Sequence, residues 1–150
     1  MKKIPFIIFL SFISGCVAVA TDHPSGFSRQ SVAYDLVEKG WEALAKKDFA
    51  MAHHITDQCI QRYSDEAKKV NAPCKDKRLS DCILLDDVAQ CLFIKSQAYL
   101  QTGHDQEFKK VCEEITQEYF NAYVFDPRGW YPWKPADYCR DKLEEMNHPK

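Results

Sequence analysis

The stretch DDVAQCLFIKSQAYLQTGHDQEFKKVCEEITQEY, Asp86 to Tyr119, decides the fold. Val88, Cys91, Leu92, Ile94, Ala98 and Tyr99 recur at helical spacing, as expected for an amphipathic helix. Gly103 breaks the run, with His104 and Asp105 beside it. Glycine enters the left-handed region without a Cβ penalty, so it is a natural helix stop. Phe108, Val111, Cys112, Ile115 and Tyr119 then start a second stripe. So short a joint leaves two helices little choice but to lie side by side as an αα-hairpin.

A second pair is expected upstream. Ser31 to Lys46 is a helix candidate, with Val32, Leu36, Gly40 and Leu44 in one row and Val37 and Trp41 next to it. Asp48 follows the break and can cap the next helix. Phe49, Ala52, Ile55, Thr56, Cys59, Ile60 and Tyr63 carry the apolar stripe of that helix, from Phe49 to about Lys68. Gly40 inside a helix costs about 1 kcal/mol relative to Ala, so it is read as permitting a close helix contact.

Superposed through their turns, the two pairs match Lys47 with Gly103, Asp48 with His104, Gly40 with Ser96, Ala52 with Phe108, Cys59 with Ile115 and Tyr63 with Tyr119. This pattern resembles the tetratricopeptide repeat (TPR), a helix pair of about 34 residues that stacks into a solenoid. The small residues Gly40, Ser96 and Ala52 stand where that family wants them. Phe108 and the glycine-free first turn depart from it, and so does the wide offset between the units. The resemblance implies an all-α domain of two TPR-like hairpins; the alternative is a generic helical bundle. It also implies a concave face lined by the first helix of each pair. Tyr34, Val37, Trp41 and Leu44 fall there in the first unit, and Phe93, Gln97, Leu100 and Gln101 in the second. Tyr34, Trp41, Phe93, Gln97 and Gln101 are therefore partner-binding candidates, since aromatics supply contact area at low entropy cost. The other reading of Trp41 and Phe93 is plain core.

An inserted loop accounts for the extra length between the pairs, over about residues 69–80 in a polar stretch that begins at Ala67; Ser80 is a candidate cap for the helix after it. Beyond Tyr119 the composition changes. Residues 126–135 hold three prolines, Gly129, Trp130, Tyr131 and Trp133, a segment expected to be neither regular helix nor strand. Pro135 suits the first turn of a last helix whose apolar row is Ala136, Cys139, Leu143 and Met146. Solenoids need such a terminal cap. Trp130 and Trp133 are candidates either for locking this cap in place or for binding. The Asp126-Pro-Arg-Gly-Trp run and Trp133-Lys-Pro-Ala resemble the ending of a group of small exported TPR-like proteins of Gram-negative bacteria, a likeness that implies no activity.

The N-terminus carries an address. Lys2 and Lys3 precede an apolar run from Ile4 to Ile13, too short to span a bilayer. Ile13-Ser14-Gly15-Cys16 resembles the lipobox of bacterial lipoproteins. That likeness implies a signal peptide over residues 1–15, acylation of Cys16 and a tether over 16–27, with the domain at 28–150 starting near Ser28. A plain secretory peptide cut near Ala18 or Ala20 is the other reading. Val17 rather than Asp after the cysteine implies the periplasmic face of the outer membrane. Loss of Lys2 and Lys3 lowers the 20 basic residues to 18 against 22 acidic ones, moving the net charge from −2 to −4. No basic stripe appears, so nucleic acid is not an expected partner.

Seven cysteines are present. With Cys16 lipidated, Cys59, Cys74, Cys82, Cys91, Cys112 and Cys139 remain, an even number in an exported chain, which points to disulfides. If the units stack like TPRs, the second helix of one faces the first of the next and the last repeat helix faces the cap. That stacking implies Cys59–Cys91 and Cys112–Cys139, and leaves Cys74–Cys82 to close the loop.

The sequence carries no phosphate loop, nucleophile elbow, Cys-x-x-Cys or His-Glu-x-x-His. His53 and His54 point to different sides of a helix, and the carboxylate pairs Asp86-Asp87, Glu113-Glu114 and Glu144-Glu145 are read as solvated. No catalytic residue, metal site or cofactor is assigned. The expectation is a non-enzymatic envelope lipoprotein that serves as a protein–protein interaction or scaffold module of an outer-membrane or secretion assembly, held to the membrane by its lipid. The alternatives are a small periplasmic enzyme or redox protein using the cysteines, and a glycan- or peptidoglycan-binding module.

Overall fold

The computed structural model describes residues 32–75, 82–125 and 132–148. The expected signal peptide (residues 1–15), Cys16, the expected tether, Ser28, Ser80, Trp130 and Tyr131 lie outside the described residues. The described residues hold five α-helices: α1 (Tyr34–Ala45), α2 (Phe49–Val70), α3 (Cys82–Gln101), α4 (Asp105–Glu118) and α5 (Pro135–Asn147). A 3-10 turn (Pro73–Lys75) follows α2. A two-residue antiparallel ribbon joins β1 (Val124–Phe125) to β2 (Pro132–Trp133), with Val124 opposite Trp133 and Phe125 opposite Pro132. No helix among the described residues is long and apolar enough to cross a membrane.

Packing follows chain order. Helix α2 lies against α1 and α3, α3 against α4, α4 against α5, and α1 also reaches α3. The central helix is therefore α3, and it is buried on nearly every side, including Leu85, Val88, Ala89, Cys91, Leu92, Ile94 and Ala98. Helices α1 and α4 bury single stripes, Val37-Gly40-Ala43-Leu44 and Phe108-Val111-Cys112-Ile115. A Cβ added at Gly40 would stand 3.2 Å from Ile94 Cδ1, closer than most side-chain contacts allow, so the glycine lets α1 approach α3.

The six cysteines of the domain form three pairs, Cys59–Cys91, Cys74–Cys82 and Cys112–Cys139, at Cα separations of 6.5, 5.9 and 5.0 Å. The first bolts α2 to α3 and the third bolts α4 to α5. These are the pairings that stacking in chain order requires.

Several expectations are corrected. Helix α1 starts at Tyr34 rather than Ser31. The inserted loop starts at Asn71 rather than near Lys69, because α2 runs on to Val70 and buries Ala67 completely. Asn71 is itself buried: its Oδ1 accepts from the Asn121 backbone N–H at 3.1 Å, and its carbonyl accepts from Asn121 Nδ2 at 2.8 Å. This exchange ties the end of α2 to the chain leaving α4. The proline-rich segment does contain strand, since Pro132 opens β2, a position where a missing N–H is tolerated. Asp86 and Asp87 do not form a solvated pair: Asp86 is half-buried. Asp87 is fully buried, and Asp86 Oδ1 accepts from the Tyr123 backbone N–H at 2.8 Å, so the start of α3 anchors the strand ribbon.

Candidate functional site

Three of the aromatic residues singled out in the sequence, Trp41, Phe93 and Trp133, converge on one place. Phe93, on α3, is the hub. Its ring centre lies 6.1 Å from Trp41 of α1, 4.7 Å from Trp133 of β2 and 5.1 Å from Tyr138 of α5. The last two contacts are edge-to-face, the arrangement that the ring quadrupoles favour. Trp41 Nε1 donates to Gln90 Oε1 at 3.4 Å, a long bond beside a nearly buried amide.

This geometry changes the reading of the expected concave face. Val37, Leu44 and Phe93 are buried, with Phe93 only 7% exposed. Trp41, Gln97 and Leu100 are half-buried, and Gln101 alone of those positions is exposed. Tyr34, also half-buried, donates its hydroxyl to Glu38 Oε1 at 2.9 Å. Phe93 is therefore corrected from an exposed binding residue to core, because Trp133 and Tyr138 fold over it from the C-terminal segment. Trp130 lies outside the described residues.

What the segment hides on one side it offers on the other. An open cleft of about 460 Å³ is lined by Tyr123, Pro132, Trp133, Lys134, Asp137, Tyr138 and Asp141. The ribbon holds one wall, and the first two turns of α5 hold the other. Pro135 at the head of α5 and the Cys112–Cys139 pair fix that helix against α4. Lys134 Nζ stands 4.8 Å from the centre of the Tyr123 ring, a cation–π contact. Asp137 Oδ1 accepts from Arg140 at 3.0 Å. Of these lining residues, the sequence had pointed only to Trp133. Tyr138 flanks the apolar row of α5 rather than lying on it, and Tyr123 sits in a loop. The available signal was Asp137 and Asp141, four apart on one face beside a tyrosine.

The histidines form a separate feature. His53 packs on the Tyr99 ring at 4.3 Å, and His104 approaches the same ring at 6.1 Å. Burial, chiefly, holds the His53 pKa below its ordinary value; the Lys95 and His104 charges act in the same direction and Asp57 against them. Lys95 donates to Asp57 at 2.6 Å, linking α3 to α2. His54 is exposed and shares a hydrogen bond with Gln58. Among the described residues, no three His, Cys, Asp or Glu side chains gather as a metal site.

No family profile, curated protein or solved structure matches this chain.

Proposed function

We propose that this chain is a non-enzymatic lipoprotein of the bacterial cell envelope whose TPR-like helical domain binds another protein. The observation that carries the proposal is the distribution of the cysteines. All six in the domain are committed to three pairs with buried sulfur positions, and Cys16 is left over in a stretch that resembles a lipobox. Paired cysteines belong to an oxidising compartment. They also leave the alternative of a cysteine-based redox enzyme without a free thiol in the domain.

Three features support the TPR-like reading of the scaffold. Packing runs in chain order with α1 also against α3. Gly40 sits where a close helix contact is needed. Lys47 and Gly103, matched by the superposition, both take positive φ. On this reading the chain is held by its lipid at the periplasmic face of the outer membrane and serves as an accessory module of an envelope assembly.

The test is processing. Cys16→Ala leaves the precursor uncut and abolishes labelling by a fatty-acid probe. A normally cut, soluble product of that variant overturns the anchor. A second reading, a glycan-binding module, draws on the Trp133 and Tyr138 rings and the carboxylates in the cleft.

A further inference from the structure

The cleft on the C-terminal cap sets aromatic rings beside carboxylates. Trp133 and Tyr138 stand edge-to-face at 6.5 Å, and Asp137 and Asp141 rise one turn apart on the α5 wall. Ring faces and carboxylates together attract ammonium and guanidinium groups, through the quadrupole on one side and charge on the other. The cleft displays this chemistry on a side chain of its own: the Lys134 ammonium lies over Tyr123. Not all of the negative charge is taken internally. Asp137 is paired with Arg140, but Asp141 has no ion-pair or hydrogen-bond partner among the described residues. Glu144, a turn further along the same face, is exposed, and its carboxylate likewise has no partner among the described residues. Helix α5 as a whole carries four carboxylates, Asp137, Asp141, Glu144 and Glu145, against Arg140 and Lys142. An acidic ridge therefore leads away from an aromatic cleft.

We infer that this cleft receives an extended, basic segment of a partner protein, with one Lys or Arg side chain set between Tyr138 and Asp141 and the next lying along Glu144. The inference rests on the reading of the chain as a protein-binding module and names the partner's chemistry. A neutral glycan would stack on the rings and donate hydroxyls to the carboxylates, but it would bring no charge to offset Asp141 and Glu144, and for that reason the basic peptide is preferred. Lys134 then acts as an internal competitor that occupies the Tyr123 face.

The test is a titration of the full-length chain with fluorescent (Lys-Pro)5, which prolines hold extended, against (Glu-Pro)5 and chitotetraose. The expected result is saturable binding of the basic peptide alone, weakened by salt. Asp141→Lys should weaken it about tenfold. Lys134→Ala should tighten it about two- to fivefold by freeing the Tyr123 ring. Both residues lie at the surface, and unchanged melting verifies that each variant is folded. Equal binding of the two peptides, no effect of Asp141→Lys, or binding of chitotetraose alone overturns the inference. Photocrosslinking in the native envelope separates it from the reading beneath it. A crosslinker at position 141 should capture a Lys- or Arg-rich peptide. Capture only from position 101, the exposed candidate at the end of α3, keeps the interaction module and overturns the cleft. Capture from neither position overturns both.

Discussion

The turn between α1 and α2 and the turn between α3 and α4 follow the same backbone path with different residues. In the first, the Lys47 N–H donates to the Leu44 carbonyl at 3.0 Å and the Asp48 N–H to the Ala43 carbonyl at 2.9 Å. In the second, the Gly103 N–H donates to Leu100 at 3.3 Å and the His104 N–H to Tyr99 at 2.9 Å. Both are Schellman closures, which require a left-handed residue. Lys47 supplies it at φ 58° and Gly103 at φ 73°. The next residue in each case starts the following helix. Asp48 Oδ1 accepts from the Met51 N–H at 3.1 Å, whereas the His104 side chain caps nothing and shares a hydrogen bond with Thr102 instead. Each turn is thus strong where the other is weak: the first has the better cap and the second the better left-handed residue. The lesson is that a helix pair tolerates one poor local choice when packing holds both helices together.

The largest test of the difference between the pairs lies inside them. Phe108 occupies in α4 the place that Ala52 occupies in α2, and both are fully buried. The second pair leans on that ring. Phe108→Ala should cost about 3–5 kcal/mol in thermal or denaturant unfolding. A loss below about 1 kcal/mol would mean that the two sites are interchangeable.

The link between the pairs comes next. Replacing Cys59 and Cys91 together by Ala should cost about 3.7 kcal/mol on the chain-entropy scale for a loop of 32 residues. The same change at Cys74 and Cys82, which close a loop of 8, should cost about 2.5 kcal/mol. Urea unfolding of both double variants checks the order.

Alkali should act on the second pair through Tyr119. This ring, at the end of α4, is fully buried, while its counterpart Tyr63 is half-buried. Burial pushes the Tyr119 phenol up to about 12, with Ser64 pulling the other way. A phenol that keeps its proton better when folded stabilises the fold below the unfolded pKa of about 10. That contribution is lost as pH rises from 10 to 12. An alkaline stability profile should show the drop, and Tyr119→Phe should flatten it. An unchanged slope in the variant would place the loss elsewhere.

The smallest effects are at the turns themselves. Lys47→Gly should stabilise by up to about 1 kcal/mol, and Gly103→Ala should destabilise by about as much. The alanine meets no clash there, since nothing lies within 4 Å of a Cβ at Gly103, so its cost is backbone conformation alone. His104→Asp should add about 1 kcal/mol by giving the second turn the cap of the first. Melting curves of the three single variants decide whether the turns are as complementary as their geometry implies.

Much of this was legible from local chemistry. Apolar spacing of three and four marked all five helices, because a packed helix repeats its buried side chains every three or four residues, although spacing alone did not show that α3 is buried on nearly every side. Asp48 as a cap and Pro135 at the head of α5 could be read for the same reason, since each acts within its own turn. The three cysteine pairs were legible at one remove, through the order in which the helices stack. Burial of Asp87, the exchange between Asn71 and Asn121 and the tie from Asp86 to Tyr123 were not: burial of a single carboxylate is set by what packs over it, and the other two contacts join residues 50 and 37 apart that carry no pattern of their own.

The aromatic cap shows where that boundary falls. Sequence alone determined that residues 126–135 interrupt the helices and that a last helix follows, since proline and glycine act on their own backbone. Only the tertiary structure decided that Trp133 and Tyr138 fold back over Phe93, choosing core over the concave-face position that the repeat resemblance implied for that ring. The same fold-back opened the Tyr123–Asp141 cleft on its outer side. Which face of a ring is covered depends on where a distant segment comes to rest, and that is set by the packing of α5 on α4 and of the ribbon on α3.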